Sequence, residues 1–191
     1  MNNKIKDNSF ILNIKQDVLN YINYRVKNSR VSNDFGNKEW KYGTEETYLK
    51  DLISYWSKDY DWKKQEKEIN KFSHYKIKID NIPIHFMYEK GSGENSKPLI
   101  LTHGWPWTFW DYQKVIGPLA HPEQYGGDIE QSFDVIVPSL PGYGFSTPLK
   151  ETEINFWRTS DLWVQLMTDI LGYKKFFAHG GDWGAAVTLQ L

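Results

Sequence analysis

The residues with the clearest chemical potential lie near the end of the 191-residue chain. There Gly180, Asp182 and Gly184 are separated by single residues, which is the spacing of a nucleophile elbow, a tight turn between a strand and a helix. Small residues permit the close strand–helix approach and the strained backbone of such a turn. Because a carboxylate is ionised at neutral pH, Asp182 needs no general base to act as a nucleophile.

A nucleophile at this position needs N–H donors that face the negative charge formed during the reaction. One donor normally follows the nucleophile, and the other comes from the loop after an earlier strand. The corresponding positions here are the backbone N–H groups of Trp183 and Trp105. Trp105 belongs to the segment His103-Gly-Trp-Pro106, and its bond to Pro106 is a candidate for a cis peptide.

Aromatic side chains are concentrated just after this segment. Trp105, Trp107 and Phe109, together with Trp110, either line an apolar substrate pocket or pack against the helix that follows. Both interpretations stay open from the sequence.

The remaining polar candidates favour structural roles. We expect His103 to hydrogen-bond its own loop rather than to act as an acid or base. His179 and Asp182 resemble a pair of metal ligands, but two ligands without a third do not make a site, so no metal and no cofactor are predicted. Ser139 and Ser146 lack the context of an elbow and are interpreted as turn residues.

The order of the predicted elements indicates an α/β protein. Apolar and polar residues alternate on both sides of Asp80-Asn81, which predicts a β-hairpin. Short apolar runs typical of buried parallel strands follow, separated by helical patterns, at residues 98–102, 133–137 and from 175. We therefore predict a mostly parallel sheet with a leading antiparallel hairpin, and ligands bind at the carboxyl ends of such strands.

A helical leader precedes the sheet. Apolar residues recur at helical spacing over residues 9–28, with Ser9 as a candidate cap, and two further helices follow, the last from Asp61. The change of periodicity places a boundary near residue 73 or 95. We predict a division into residues 1–95, the leader plus the hairpin, and residues 96–191, the rest of the sheet.

Composition excludes several classes of protein. The 23 basic and 24 acidic residues are nearly balanced, so no nucleic-acid partner is indicated. Cysteine is absent, which fits a reducing compartment, and no apolar window reaches the 18 or so residues of a membrane span. A cytoplasmic protein without a membrane anchor is predicted. The oligomeric state is open.

Taken together, these residues resemble epoxide hydrolases of the microsomal type, which are α/β-hydrolases with a specific N-terminal domain. The resemblance covers nearly the whole chain. In the leader it rests on Trp40-Lys-Tyr-Gly43, Tyr48-Leu-Lys-Asp-Leu-Ile-Ser-Tyr-Trp56, Tyr60-Asp-Trp-Lys-Lys-Gln-Glu66 and Ile84-His-Phe86. In the sheet region it rests on His103-Gly-Trp-Pro106, Pro138-Ser-Leu-Pro-Gly-Tyr-Gly-Phe-Ser146 and Gly180-Gly-Asp-Trp-Gly184.

The resemblance implies a specific reaction. Asp182 would attack a carbon of a small apolar epoxide and form an alkyl-enzyme ester, which water hydrolyses to a vicinal diol. The N–H groups of Trp183 and Trp105 would then stabilise the tetrahedral oxyanion, and no cofactor takes part. Proteins of this kind serve in detoxification or in the catabolism of aromatic hydrocarbons.

The sequence departs from the family pattern in two places. Trp107-Thr108 stands where the family usually has a small pair such as Gly-Ser, which puts the size of the pocket in question. The family supplies its histidine base, the acidic partner of that base and two lid tyrosines after the elbow, whereas this chain ends nine residues after Asp182. We therefore expect a truncated α/β-hydrolase fold, the N-terminal portion of a longer enzyme.

Two alternatives remain at this point. A haloalkane dehalogenase also uses an Asp followed by Trp on this scaffold. It differs in two respects, because it needs a halide-stabilising side chain, often Asn, at the position of Trp105, and because it lacks this leader. The chain by itself could also be a non-catalytic fragment.

Overall fold

The computed structural model describes residues 7–191, which form two compact units. One unit contains Leu12–Ile69, and the other contains the described residues up to Ile11 together with Asn70–Leu191. The predicted hairpin lies in the second unit, as part of its sheet. The division of the chain into residues 1–95 and 96–191 stays a prediction.

The smaller unit is helical, in agreement with the predicted leader. Its helices are α1 (Gln16–Lys27), α2 (Glu46–Lys58) and α3 (Trp62–Ile69). Asp61 starts α3, because its Oδ1 atom accepts a hydrogen bond from the Lys63 N–H group at 2.9 Å.

The predicted start of the first helix is wrong. Ser9 does not cap a helix but forms an antiparallel bridge with Tyr75, and Phe10 N–H donates to the His74 carbonyl at 2.8 Å. These backbone hydrogen bonds hold the segment in an extended conformation, so α1 begins only at Gln16. The apolar period cannot reveal this, because the pairing partner lies more than sixty residues away.

A five-stranded mixed sheet forms the larger unit. Its strands are β1 (His74–Ile79), β2 (Ile82–Glu89), β3 (Lys97–Thr102), β4 (Phe133–Pro138) and β5 (Phe177–Gly180), in the spatial order β1-β2-β4-β3-β5. Strand β2 pairs antiparallel with β1 and with β4, whereas β3 is parallel to both of its neighbours. This arrangement confirms the predicted α/β sheet with a leading hairpin.

A helix follows each of the strands β3, β4 and β5. These helices are α4 (Gln113–Ala120), α5 (Phe156–Gln165), which continues into a π turn at Leu166–Ile170, and α6 (Trp183–Thr188). A 3₁₀ turn at Phe109–Tyr112 precedes α4, and two more lie at Pro122–Tyr125 and Ile129–Gln131. Strands β3 and β4 place Ile100 and Ile136 in the core beside the buried Trp163 of α5. Among the described residues, no helix combines the length and the apolarity needed to cross a membrane.

A buried carboxylate fastens the amino-terminal end of β4. Asp134 accepts hydrogen bonds from the Gly91 N–H group at 2.9 Å, from the Tyr173 hydroxyl at 2.6 Å and from Lys90 Nζ at 2.6 Å. The Tyr173 hydroxyl lies 2.8 Å from that of Tyr88. Since Asp134 is buried, these donors replace the water that its charge would otherwise need.

We expect Asp134→Ala to lower the free energy of unfolding by about 2–4 kcal/mol, because buried donors lose their acceptor. Urea unfolding measures the change. The matched control is Asp161→Ala at an exposed position of α5, which should stay within about 0.5 kcal/mol of the unsubstituted chain. Equal stability of the two variants would contradict a fastening role for Asp134.

A second buried network joins β2 to the loop after β4. His85 Nδ1 lies 2.9 Å from Ser139 Oγ, and its Nε2 lies 2.9 Å from His74 Nδ1. The His85 N–H group donates to Ser146 Oγ at 3.0 Å. Burial, and secondarily the neighbouring His74 and Lys76, hold the pKa of His85 well below 6.5. Ser139 and Ser146 are therefore buried structural residues rather than simple turn residues.

This network predicts a loss of stability in mild acid. The unfolded chain binds a proton at His85 near pH 6.5, but the folded chain does so only at lower pH. The stabilisation that comes from the neutral, buried His85 is therefore fully present above pH 6.5. As the pH falls below 6.5, the free energy of unfolding decreases by up to about 1.4 kcal/mol per pH unit. The free energy of unfolding should fall between pH 7.5 and 5.5, with a shallower slope in His85→Asn. Equal slopes would contradict the assignment to His85.

Candidate active site

The pairing of β3 with β5 brings the predicted loops together. Thr102, the last residue of β3, is in register with Gly180, the last residue of β5. Because the two strands are parallel, the loops that leave them emerge side by side. The loop after β4 joins them, since the Leu140 N–H group donates to His103 Nε2 at 3.0 Å. The three predicted loops therefore meet at one edge of the sheet.

Asp182 occupies the sharp turn between β5 and α6. Its backbone has φ 53° and ψ −123°, a conformation that residues with a side chain rarely adopt, and α6 begins at the next residue. Close packing forces this turn, since a Cβ atom on Gly184 would lie 2.0 Å from the Thr102 carbonyl oxygen. The structure thus has the strand–turn–helix geometry of a nucleophile elbow at Asp182.

Two backbone donors face the exposed Asp182 carboxylate. The Trp105 N–H group donates to Asp182 Oδ1 at 2.8 Å. This hydrogen bond, and a second from the Trp183 N–H group, lower the pKa of Asp182 below 3.8, and slight desolvation opposes them. Asp182 is therefore ionised at neutral pH. The two donors are the backbone groups named from the sequence, and their part in a reaction stays a prediction.

Gly104 makes this contact sterically possible. A Cβ atom at that position would lie 2.6 Å from Asp182 Cβ and 2.7 Å from its Oδ1 atom. No side chain fits between the loop and the carboxylate. The following bond, Trp105–Pro106, is cis.

His103 has the structural role that the sequence predicted. Its Nδ1 atom lies 2.9 Å from the Gly104 carbonyl, and Nε2 accepts the hydrogen bond from Leu140. Since Nε2 accepts, the ring is neutral with its proton on Nδ1. Burial lowers the pKa of His103 and keeps it neutral, although the Gly104 carbonyl and Asp111 oppose the shift. The ring orients the loop rather than transferring protons.

The aromatic candidates separate into two groups. Trp105 and Trp107 expose 58% and 57% of their surface, and Trp183 packs edge-on against Phe156 with ring centroids 5.4 Å apart. These exposed rings beside the elbow are available to contact a ligand. Phe109 differs, because it is 3% exposed.

The burial of Phe109 corrects its predicted place in the pocket. Its ring packs against those of His74, His85 and Phe145, at centroid distances of 5.8, 4.8 and 5.6 Å. We therefore assign Phe109 to the core. Trp110 also packs, edge-on against Phe72.

Sequence reasoning missed Tyr112 as a residue of this region. Its hydroxyl donates to the Thr102 carbonyl at 2.9 Å. Neither a motif nor a period marks this tyrosine, because the contact depends on how the 3₁₀ turn folds back. Within residues 7–191, no group of three or more His, Asp or Glu side chains is arranged to hold a metal ion.

Comparison with known proteins first defines the class. Residues 97–191 match the model of the alpha/beta hydrolase fold. The juvenile hormone epoxide hydrolase of the silkworm Bombyx mori superposes with a TM-score of 0.84 at 28% identity, covering 96% of this chain and 43% of that structure. The epoxide hydrolase of Aspergillus niger superposes with a TM-score of 0.82 at 25% identity, covering 95% and 47%.

The family follows from the leader as well as the sheet. Residues 8–112 match the model of the epoxide hydrolase N terminus, which covers more than half of the chain. Epoxide hydrolase 1 of Oryctolagus cuniculus is 37% identical over 186 residues, 95% of this chain. The chain therefore belongs to the epoxide hydrolase family. It spans 41% of the length of that relative.

The geometry at Gly104 gives a direct test of the site. In Gly104→Ala the new methyl group displaces the Asp182 carboxylate, so the pKa of Asp182 should rise toward 3.8 and the Trp105 amide proton should lose its hydrogen-bonded chemical shift. Carbon-13 NMR of the carboxyl group and amide spectra measure both changes.

The matched control is Gly181→Ala, where a Cβ atom meets nothing within 4 Å. It should leave the pKa of Asp182 and the Trp105 amide signal unchanged. The site geometry would be wrong if the two alanine variants behaved alike.

Proposed function

We propose that the protein containing this chain hydrolyses epoxides, with Asp182 as the nucleophile. The observation that carries the proposal is the carboxylate on the elbow with the Trp105 N–H group 2.8 Å from Oδ1. An ionised carboxylate held by backbone donors suits attack on an uncharged electrophilic carbon. Because the chain belongs to the epoxide hydrolase family, we propose that this electrophilic carbon is the carbon of an epoxide.

In the first step an Asp182 oxygen forms a bond to one epoxide carbon, and the bond between that carbon and the epoxide oxygen breaks. The epoxide oxygen leaves as an alkoxide and takes a proton to become a hydroxyl group. The proton donor is one of the tyrosines expected after the elbow. The hydrogen bonds from Trp105 and Trp183 orient the carboxylate for attack.

In the second step water attacks the carbonyl carbon of the ester, assisted by the histidine base expected after the elbow. The Trp105 and Trp183 N–H groups already point at a carboxylate oxygen, so they face the oxygen that becomes negative in the tetrahedral intermediate. Removal of one such donor typically slows a reaction by about 10²–10³-fold. Collapse of the intermediate releases the diol and restores Asp182.

We propose a small apolar epoxide as the substrate. The exposed rings of Trp105, Trp107 and Trp183 supply apolar contact area beside the carboxylate. We also propose that the exposed Trp107, which stands where the family pattern has a small residue, narrows the space for the substrate and favours slender epoxides. A role in detoxification or in aromatic hydrocarbon catabolism and a cytoplasmic location stay predictions.

Covalent labelling tests the nucleophile. A small aryl epoxide should add its full mass to the peptide that contains Asp182, and Asp182→Asn should abolish the adduct, whereas Asp161→Asn should not. Since the pKa of Asp182 is lowered, labelling should keep a constant rate from about pH 5 upward, where the carboxylate is ionised. Mass spectrometry of the digested protein measures the adduct.

Isotopic oxygen separates this mechanism from direct hydrolysis. With enzyme in excess in H₂¹⁸O, the first diol should carry unlabelled oxygen from Asp182, and the heavy oxygen should remain in the carboxylate. Heavy oxygen in the first diol would rule out the ester. Release of halide from a chloroalkane, without diol formation from epoxides, would favour a dehalogenase.

A further inference from the structure

The hydroxyl of Tyr112 closes the loop that carries one of the two backbone donors. Its hydrogen bond to the Thr102 carbonyl, 2.9 Å long, joins the end of β3 to the 3₁₀ turn ten residues later. The turn itself is started by Thr108, whose Oγ1 atom accepts from the Trp110 N–H group at 3.2 Å. Trp105 lies inside the closed segment. Tyr112 therefore restricts the positions that the Trp105 N–H group can take.

The same side chain also reaches β5, the strand that leads into the elbow. Burial raises the pKa of the Tyr112 hydroxyl, Asp111 adds to the rise, and the backbone of Gly181 opposes it. The Tyr112 ring also lies edge-on to that of His179 on β5, with centroids 6.3 Å apart. One side chain thus contacts both segments that define the site.

Thr102, which accepts the hydrogen bond from Tyr112, is itself held firmly in place. Its Oγ1 atom accepts a hydrogen bond from the buried indole N–H group of Trp163 at 3.1 Å. Its backbone pairs with Gly180, and Gly184 packs directly against its carbonyl oxygen. A group hydrogen-bonded to this carbonyl is tied to the close contact between β3 and α6.

We propose that Tyr112 is a positioning residue that holds the Asp182 carboxylate in register with the Trp105 N–H group. It does not touch the reacting atoms and acts through the Thr102 carbonyl at the end of β3 and the His179 ring on β5. The effect on Asp182 geometry stands by itself, whereas an effect on reaction rate rests on the proposed function.

The test is Tyr112→Phe, which keeps the ring and removes only the hydroxyl. We expect the pKa of Asp182 to rise toward 3.8 and the Trp105 amide signal to shift toward that of a weaker hydrogen bond, both measured by NMR. Labelling of Asp182 by an epoxide should slow by about 3- to 10-fold, the effect of losing one ordinary hydrogen bond.

Tyr173→Phe is the matched control, because it removes another half-buried tyrosine hydroxyl, that of the Asp134 network. It should reduce stability without moving the Asp182 or Trp105 signals. An unchanged pKa of Asp182 in Tyr112→Phe, or an equal change in Tyr173→Phe, would overturn the proposal.

A measurement on the unsubstituted chain keeps the proposal testable if Tyr112→Phe fails to fold. The Tyr112 hydroxyl proton, which is donated to the Thr102 carbonyl, should exchange slowly with water, and exchange at the rate of a free tyrosine hydroxyl would overturn the proposal. Failure of the two proposals is distinguishable. If no epoxide labels Asp182 while Tyr112→Phe still shifts its pKa, the enzymatic function fails and the positioning role stands.

Discussion

The site depends on the parallel pairing of β3 with β5, which ends with Thr102 opposite Gly180. Two loops that are nearly eighty residues apart in sequence leave the sheet at adjacent points because of this register. The hydrogen bond from the Trp105 N–H group to the Asp182 carboxylate is its direct result. A slip of the register would turn the side chains of β5 to the opposite face and separate donor from acceptor.

The absence of side chains at two glycines is as important as the hydrogen bonds. Gly184 allows α6 to approach the Thr102 carbonyl, and Gly104 leaves room for the Asp182 carboxylate. Asp182 has a positive φ, which is a strained conformation for a residue with a side chain. The close packing of α6 and of the loop at Gly104 around it can hold the backbone in this conformation. The carboxylate therefore lies against backbone dipoles whose positions are fixed by the packing.

Much of the fold was readable from local patterns. The hairpin around Asp80-Asn81 was predicted correctly, and both residues have the positive φ of a tight hairpin turn. Strands β3 and β4 were found to within a residue, because short apolar runs between turn residues mark buried strands. The prediction for Ser9 and the pocket interpretation of Phe109 were wrong for one shared reason. The type of a residue indicates whether its side chain can be buried or can cap a helix. Which partner it contacts depends on segments that are distant in the sequence.

The sequence by itself determined the sharp strand-to-helix turn at Asp182 and the order of strands and helices, because turn chemistry and apolar periodicity are local properties. The role of Asp182 as a nucleophile stays a prediction. The sequence also determined the structural role of His103, whose hydrogen-bond partners lie in its own loop and in the neighbouring loop at Leu140. Only the tertiary structure decided that Phe109 is buried, that His74 and His85 share a network with Ser139, and that Tyr112 reaches Thr102. Those contacts join segments whose separation in sequence carries no signal, since they form only after the sheet has aligned the ends of its strands.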